Sequence, residues 1–142
     1  MWRNAVLPTP VNPGFGGFGL FNGAVGYANG RFFAALNEVA APTPVAPKHL
    51  MAFSEVDGTT VWEDEIGTSW SHVGLANGVL YVSTRQAPAF YAYDATTGTR
   101  LATFDLPEGT TSAGGPIVVD GTLYLPYGVD GAKGGVQAYR LP

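Results

Sequence analysis

The apolar side chains of this chain fall in short runs, and no window carries a long apolar stretch with helical period. In Arg31–Leu36, Val79–Thr84 and Thr122–Tyr127 both alternate faces are apolar: Phe33, Tyr81 and Tyr124 share one face, and Phe32, Leu80 and Leu123 share the other. Alternation with a period of two marks strands. Apolar side chains on both faces predict strands covered on both, as in sheets stacked about 10 Å apart. A second set of runs, His49–Ser54, Ala89–Asp94 and Gly135–Arg140, places a small alanine before an aromatic at Ala52-Phe53, Ala92-Tyr93 and Ala138-Tyr139. A third set, Thr60–Glu63 and Arg100–Phe104, reads as the outer strands.

The turns between these runs repeat as well. Asn29-Gly30, Asn77-Gly78 and Asp120-Gly121 are dipeptides that reach the positive φ values of a two-residue type I′ hairpin. Segment 23–36 aligns without a gap on 71–84 and again on 114–127, so the turn glycines recur after 48 and then 43 residues, at 30, 78 and 121. A strand-built unit with a period in the forties is the mark of a β-propeller blade. Each unit reads as strands A to D: a tight A–B hairpin, then a C–D hairpin whose turn ends at Gly58 or Gly98. The fold class expected is all-β, three four-stranded antiparallel blades of an incomplete ring. The divisions are 1–22 (outer strand of a preceding blade and a Gly/Pro-rich loop), 23–66, 67–108, and 109–142, the last without its outer strand.

The missing strand has a counterpart at the other end. Trp2 stands where Trp62 stands in the first unit, and Leu7-Pro8 echoes Leu106-Pro107, so residues 1–8 read as a strand D with its exit. Three blades cannot close a ring of about four to eight. The expectation is either part of a longer propeller or a piece that self-assembles, with the remaining blades or a second copy as partner. Isolated, it should be sticky, dimeric or marginally stable, because terminal repeats need neighbours or caps.

Charge and composition narrow the partners. Charged residues make up 13% of the 142 and the net charge is −4, which supplies no basic footprint for nucleic acid or an anionic membrane surface. No stretch is long enough to span a bilayer. The N-terminal residues lack the apolar core of a signal peptide. Cysteine is absent, so disulfides, thiolate metal sites and covalent haem attachment are excluded.

The segment Ala92-Tyr93-Asp94-Ala95-Thr96-Thr97-Gly98, following Asn77-Gly78 by some ten residues, resembles the repeat of quinoprotein (PQQ-like) propellers, which also carries a tryptophan on the outer strand. Unit one holds a degenerate copy at Ala52–Gly58 together with Trp62; unit two has Ala102 in place of the tryptophan. The run from Gly114 onward looks most like the C-terminal blades of polyvinyl-alcohol-dehydrogenase-like members. The resemblance implies a periplasmic or extracellular setting. It also implies pyrroloquinoline quinone beside calcium near the axis, with an aspartate as general base in alcohol oxidation. No segment here matches that aspartate or the calcium ligands, so any such chemistry resides outside this chain. Non-catalytic scaffolds carry the same repeat, and a binding module is the alternative.

The longer connections, 37–48, 67–71, 85–88 and 127–135, should gather on one face, where variable loops on a rigid scaffold bind ligands or proteins. Trp70, His72 and Arg85 are the candidate cofactor-binding residues there. His72 sits at the start of an inner strand, either approaching the axis as a titratable group or held structurally. Arg85 either reaches a carboxylate or is solvated. His49 has no evident carboxylate pair and makes no metal site. Glu63-Asp64-Glu65 reads as edge protection, and Asp130–Lys133 as a solvated turn. Gly14-x-Gly16-x-x-Gly19 matches a dinucleotide spacing by letter only, since no strand and helix flank it; Phe15 and Phe18 read as aromatic plugs of a loop.

Overall fold

The computed structural model describes residues 1, 24–36, 48–128 and 133–140. The expected outer strand at 1–8, the glycine-rich loop with Phe15 and Phe18, most of loop 37–48 and most of the turn at 130–133 lie outside these residues. Eleven strands form three antiparallel sheets among the described residues, with no helix. Blade 1 is β1 (Gly26–Ala28), β2 (Arg31–Ala35), β3 (Leu50–Ser54) and β4 (Thr60–Asp64), hydrogen-bonded in that order. Blade 2 repeats it with β5 (Gly74–Ala76), β6 (Val79–Ser83), β7 (Ala89–Asp94) and β8 (Arg100–Asp105). Blade 3 shows three strands among the described residues, β9 (Ile117–Val119), β10 (Thr122–Tyr127) and β11 (Gly135–Arg140), ordered β11-β10-β9.

The turns follow from their residues. Asn29, Asn77 and Asp120 take φ of 52°, 50° and 46°, and the glycine after each takes 74°, 78° and 70°. Two consecutive left-handed residues are the type I′ hairpin, whose twist matches that of the flanking strands. The C–D turns close by shared bonds: the Gly58 amide donates to the Ser54 carbonyl and the Gly98 amide to the Asp94 carbonyl, both at 2.9 Å. In blade 2 the Asp94 carboxylate accepts from the amides of Thr96 and Thr97 at 2.8 and 2.7 Å. In blade 1 the work is split between Ser54 and Asp57, which accept from the amides of Val56 and Thr59. A register shift follows the alanine in both blades, between Ala52 and Phe53 and between Ala92 and Tyr93, the extra twist of a bulge.

The core lies between the sheets. Phe33, Ala35, Leu50 and Ala52 of blade 1 meet Leu80, Val82 and Tyr93 of blade 2. The other side of blade 2, with Tyr81, Phe90 and Ala92, meets Leu123 and Leu125 of blade 3. Inner strands approach closely because Gly26 and Gly74 lack side chains. A Cβ on Gly26 would stand 2.7 Å from Val73 Cγ2, and one on Gly74 would stand 2.7 Å from the Pro116 carbonyl oxygen.

Candidate functional site

Hydrogen bonds sort the connections onto two ends of the blades. The Glu55 amide donates to the Gly30 carbonyl and the Ala95 amide to the Gly78 carbonyl, so A–B and C–D turns share one end. At the opposite end the Ser69 amide reaches the Leu36 carbonyl, Arg85 reaches Thr68, Leu106 reaches Pro88, and Gly128 reaches Thr111. This second end holds the longer loops.

A set of buried hydroxyls pins those loops. Ser69, Ser71, Ser83, Thr84, Thr110 and Ser112 are all buried. Ser71 Oγ donates to the His72 carbonyl at 2.7 Å and accepts from the Ser83 amide, while Ser83 Oγ donates to the Ser112 carbonyl at 3.2 Å across to blade 3. Ser112 Oγ in turn accepts from the Gly114 amide. Satisfied buried groups of this kind hold one backbone geometry, since an unmade bond there costs about 1–3 kcal/mol. Sequence reading missed these serines and threonines. A signal was available in the aligned pair Ser69 and Ser112, which recur 43 residues apart like the turn glycines.

On this pinned backbone, Trp70 remains 42% exposed, and the Arg85 guanidinium carbon lies 3.6 Å from the centre of its ring. Such a stack is worth about 0.5–1 kcal/mol at an exposed site. Arg85 is thus stacked on Trp70, an arrangement its sequence context did not suggest. His72 is exposed at the start of the inner strand, its ring lying over Gly115, where a Cβ would stand within van der Waals overlap of the imidazole. His72 and Gly115 occupy equivalent places in consecutive repeats, so the glycine makes room for the histidine of the blade before it.

Other candidates take different roles. His49 Nδ1 contacts Glu65 Oε1 at 2.5 Å, and the same oxygen accepts from the Gly67 amide at 2.7 Å; a carboxylate the sequence did not reveal therefore faces His49. Asp64 is no mere guard of an edge. Its Oδ2 accepts from Tyr93 Oη at 2.7 Å and from Arg100 Nη2 at 2.9 Å, joining blades 1 and 2. Burial opposes the Asp64 charge, but the bonds from Tyr93 and Arg100 outweigh it and hold this carboxyl below the usual range. Burial first, and the neighbouring Asp64 second, push the Tyr93 hydroxyl well above its ordinary pKa. Among the described residues no group of three or more histidines or carboxylates is placed to hold a metal ion, and there is no helix long and apolar enough to cross a membrane.

Repeating four-stranded sheets, stacked face to face around close-set inner strands, define an incomplete β-propeller of PQQ-like repeats. The PQQ_2 family, described as outer membrane protein assembly factor BamB, matches residues 47–140, and the chain belongs to this family. Among solved structures it is similar to the quinohemoprotein alcohol dehydrogenase ADHIIG of Pseudomonas putida HK5. The TM-score is 0.65 at 21% identity, over 83% of this chain and 18% of that one. The quinohemoprotein alcohol dehydrogenase of Comamonas testosteroni matches with a TM-score of 0.64 at 22% identity, over 83% and 19% of the two chains. BamB of Moraxella catarrhalis matches at 0.55 and 18% identity, over 79% and 34%. The chain spans about a fifth of the two dehydrogenases, and these likenesses establish the fold. No curated protein matches.

Proposed function

We infer that this chain supplies blades of a periplasmic, non-catalytic propeller that binds an extended polypeptide at its loop-rich face, with Trp70 and Arg85 as the contact ledge. The observation that carries this reading is the Arg85–Trp70 stack standing on a backbone fixed by buried hydroxyls. An exposed aromatic and an arginine on a rigid support are the residue types that concentrate binding energy. The family description as an outer membrane protein assembly factor agrees with a polypeptide ligand. The test is a fluorescence titration with an unfolded outer-membrane barrel protein diluted from urea. Saturable binding weakened about tenfold by Arg85→Glu is expected; binding indifferent to Trp70→Ala and Arg85→Glu overturns the ledge.

A second reading follows from the fold shared with two quinohemoprotein alcohol dehydrogenases: the chain is part of such an enzyme, using pyrroloquinoline quinone and calcium. The donor set of the described residues does not fit that group unaided. Among the described residues no group of three or more histidines or carboxylates is placed to hold the ion, and the Trp70 ring is already stacked by Arg85. Trp70, His72 and Arg85 would then contribute only the rim of a cradle completed by other blades. Stoichiometric quinone uptake by this chain in calcium, lost in Trp70→Ala, would establish the enzyme reading over the scaffold.

A further inference from the structure

One buried hydroxyl ties the loop of Trp70 to the loop of Arg85. Thr84 follows β6 and directly precedes Arg85, and it is 1% exposed. Its Oγ1 donates to the Thr68 carbonyl at 3.4 Å and accepts from the Gln86 amide at 3.2 Å, so it grips the chain on both sides of Arg85. The Arg85 amide donates to the same Thr68 carbonyl at 2.8 Å. The Gln86 side chain closes over Gly67, where a Cβ would overlap its carboxamide. Blade 3 shows that the backbone plan does not need this hydroxyl. There the Gly128 amide donates to the Thr111 carbonyl at 2.9 Å, which is the bond from Arg85 to Thr68 one repeat further on. Tyr127 takes the place of Thr84, and Ala113 and Gly128 take the places of Trp70 and Arg85. The Tyr127 hydroxyl is carried off to Gly135, where a Cβ would stand 2.8 Å from it. The blade without the stack is thus also without the hydroxyl that ties the two loops.

We propose that, on the reading of Trp70 and Arg85 as the contact ledge, Thr84 is its positioning residue. The hydroxyl sets the backbone around Arg85 against Thr68, two residues before Trp70, and so holds the guanidinium over the indole ring. Thr84 itself lies beneath the surface and touches no ligand. The stack cannot order the two loops alone. An exposed cation–π contact shifts an equilibrium by a factor of only about two to five, against the rotamer freedom that a long arginine side chain gives up. The geometry has to come from the backbone below. The other anchors of the Trp70 loop, the Ser69 amide on the Leu36 carbonyl and the Ser71 amide on Ser69 Oγ, fix Trp70 without reaching Arg85. A ledge assembled before the polypeptide arrives spares the cost of ordering these side chains on binding.

The experiment uses the full chain, first without ligand. In proton NMR the Arg85 δ protons should carry an upfield ring-current shift from Trp70, abolished in Trp70→Ala. Thr84→Val, of the same shape without the hydroxyl, should lose most of that shift, and Thr84→Ser should restore it, while the amide resonances of β6 and β7 stay in place. Binding of the unfolded outer-membrane barrel protein should weaken about two- to fivefold in Thr84→Val, the factor an exposed stack is worth, and recover in Thr84→Ser. A ring-current shift unchanged in Thr84→Val overturns the proposal. So does binding unchanged in Thr84→Val where Arg85→Glu weakens it. In the unmodified chain the Gln86 amide should exchange slowly with solvent, and exchange as fast as that of an unprotected amide overturns the proposal even if Thr84→Val does not fold. The two readings fail separately: binding indifferent to Trp70→Ala and Arg85→Glu removes the ledge, whereas the ligand-free ring-current shift decides whether Thr84 positions Arg85.

Discussion

The junction between blades 1 and 2 and the junction between blades 2 and 3 use one backbone plan with different chemistry. At the first, Trp62 reaches from the outer strand of blade 1 onto the C–D turn of blade 2. Its indole nitrogen donates to the Ala95 carbonyl at 3.1 Å, and its ring lies against Phe33 and stacks with Tyr93 at centroid distances of 5.9 and 6.2 Å. Gly98 makes this possible, since a Cβ there would stand 2.6 Å from the indole. The Asp64, Tyr93 and Arg100 cluster closes the outer side, and Arg31 donates to the Thr96 carbonyl. At the second junction Ala102 occupies the tryptophan's place, and Phe104, two residues on, fills the gap against Tyr139 at 5.0 Å and Tyr81 at 6.5 Å. On its outer side the polar closure is Tyr139 Oη donating to the Asp105 carbonyl and accepting from Gln137, whose Oε1 is buried without a partner among the described residues; at the loop end Ser83 Oγ donates to the Ser112 carbonyl. The first junction carries more hydrogen bonds between blades, so the seam between blades 2 and 3 should open first.

The largest effect should come from removing what distinguishes the first junction. Trp62→Ala deletes two ring contacts and an indole hydrogen bond, at a cost of about 3 kcal/mol, the low end for Trp→Ala because the ring is only partly buried. Urea denaturation followed by tyrosine fluorescence measures it. An unchanged midpoint would mean that the tryptophan does not set the strength of this junction. Phe104→Ala at the second junction should cost about 2 kcal/mol, less than Trp62→Ala because no hydrogen bond is lost. Hydrogen exchange in β10 and β11 should rise in this variant while that of β2 and β3 holds. Equal rises in all three blades would show that the seams are one cooperative unit.

Gly98→Ala tests the receiving surface of the first junction. The residue sits at φ 73° and its Cβ would strike the indole, so strain and a displaced ring together should cost about 1–2 kcal/mol. Gly78→Ala has nearly the same φ, 78°, and open space around the Cβ. It should cost less, about 1 kcal/mol, by the backbone term alone. The difference between the two midpoints isolates the clash with Trp62.

The fold was legible because repetition carries it. Three Asn/Asp-Gly turns, a recurring alanine-aromatic pair and strands apolar on both faces are local signals that fix element type, order and register. The strands at Ala89–Asp94 and Gly135–Arg140 have the limits their sequence suggested. Contacts between repeats were harder to read. Asp64 and Arg100 are 36 residues apart, His49 and Glu65 are 16 apart, and nothing local states that a strand end of one blade meets the outer hairpin of the next. Glu63-Asp64-Glu65 therefore read as an edge guard, although Asp64 is a partner of Tyr93. The Trp70–Arg85 stack depends on two loops brought to one end by the blade geometry, and residue types alone left Arg85 without its aromatic.

The smallest effect, and the sharpest chemically, concerns the charge that the second junction lacks. The Asp64 carboxyl is held below its ordinary range in the folded protein: burial raises it, and the bonds from Tyr93 and Arg100 more than reverse that. A depressed folded-state pKa means that the unfolded chain binds protons first as pH falls. The stability contributed by ionised Asp64 is thus complete above the unfolded value, about 3.9, and is lost progressively as pH falls from there through the folded value. Arg100 stays charged throughout, since the pairing raises its pKa further even against burial. The side chains are 39% and 33% exposed, so solvent screening keeps the pair's worth small, within the range of about 0–1 kcal/mol for surface pairs. Asp64→Asn should therefore flatten the acid limb of the stability profile below about pH 4 and leave the neutral value nearly unchanged. Hydrogen exchange measured at pH 3 and pH 6 would place the effect: loosening on acidification should appear in β4 and β8, where Asp64 and Arg100 sit, and not in β10 and β11. An acid response of equal size at both junctions would remove Asp64 as the source of the difference between them.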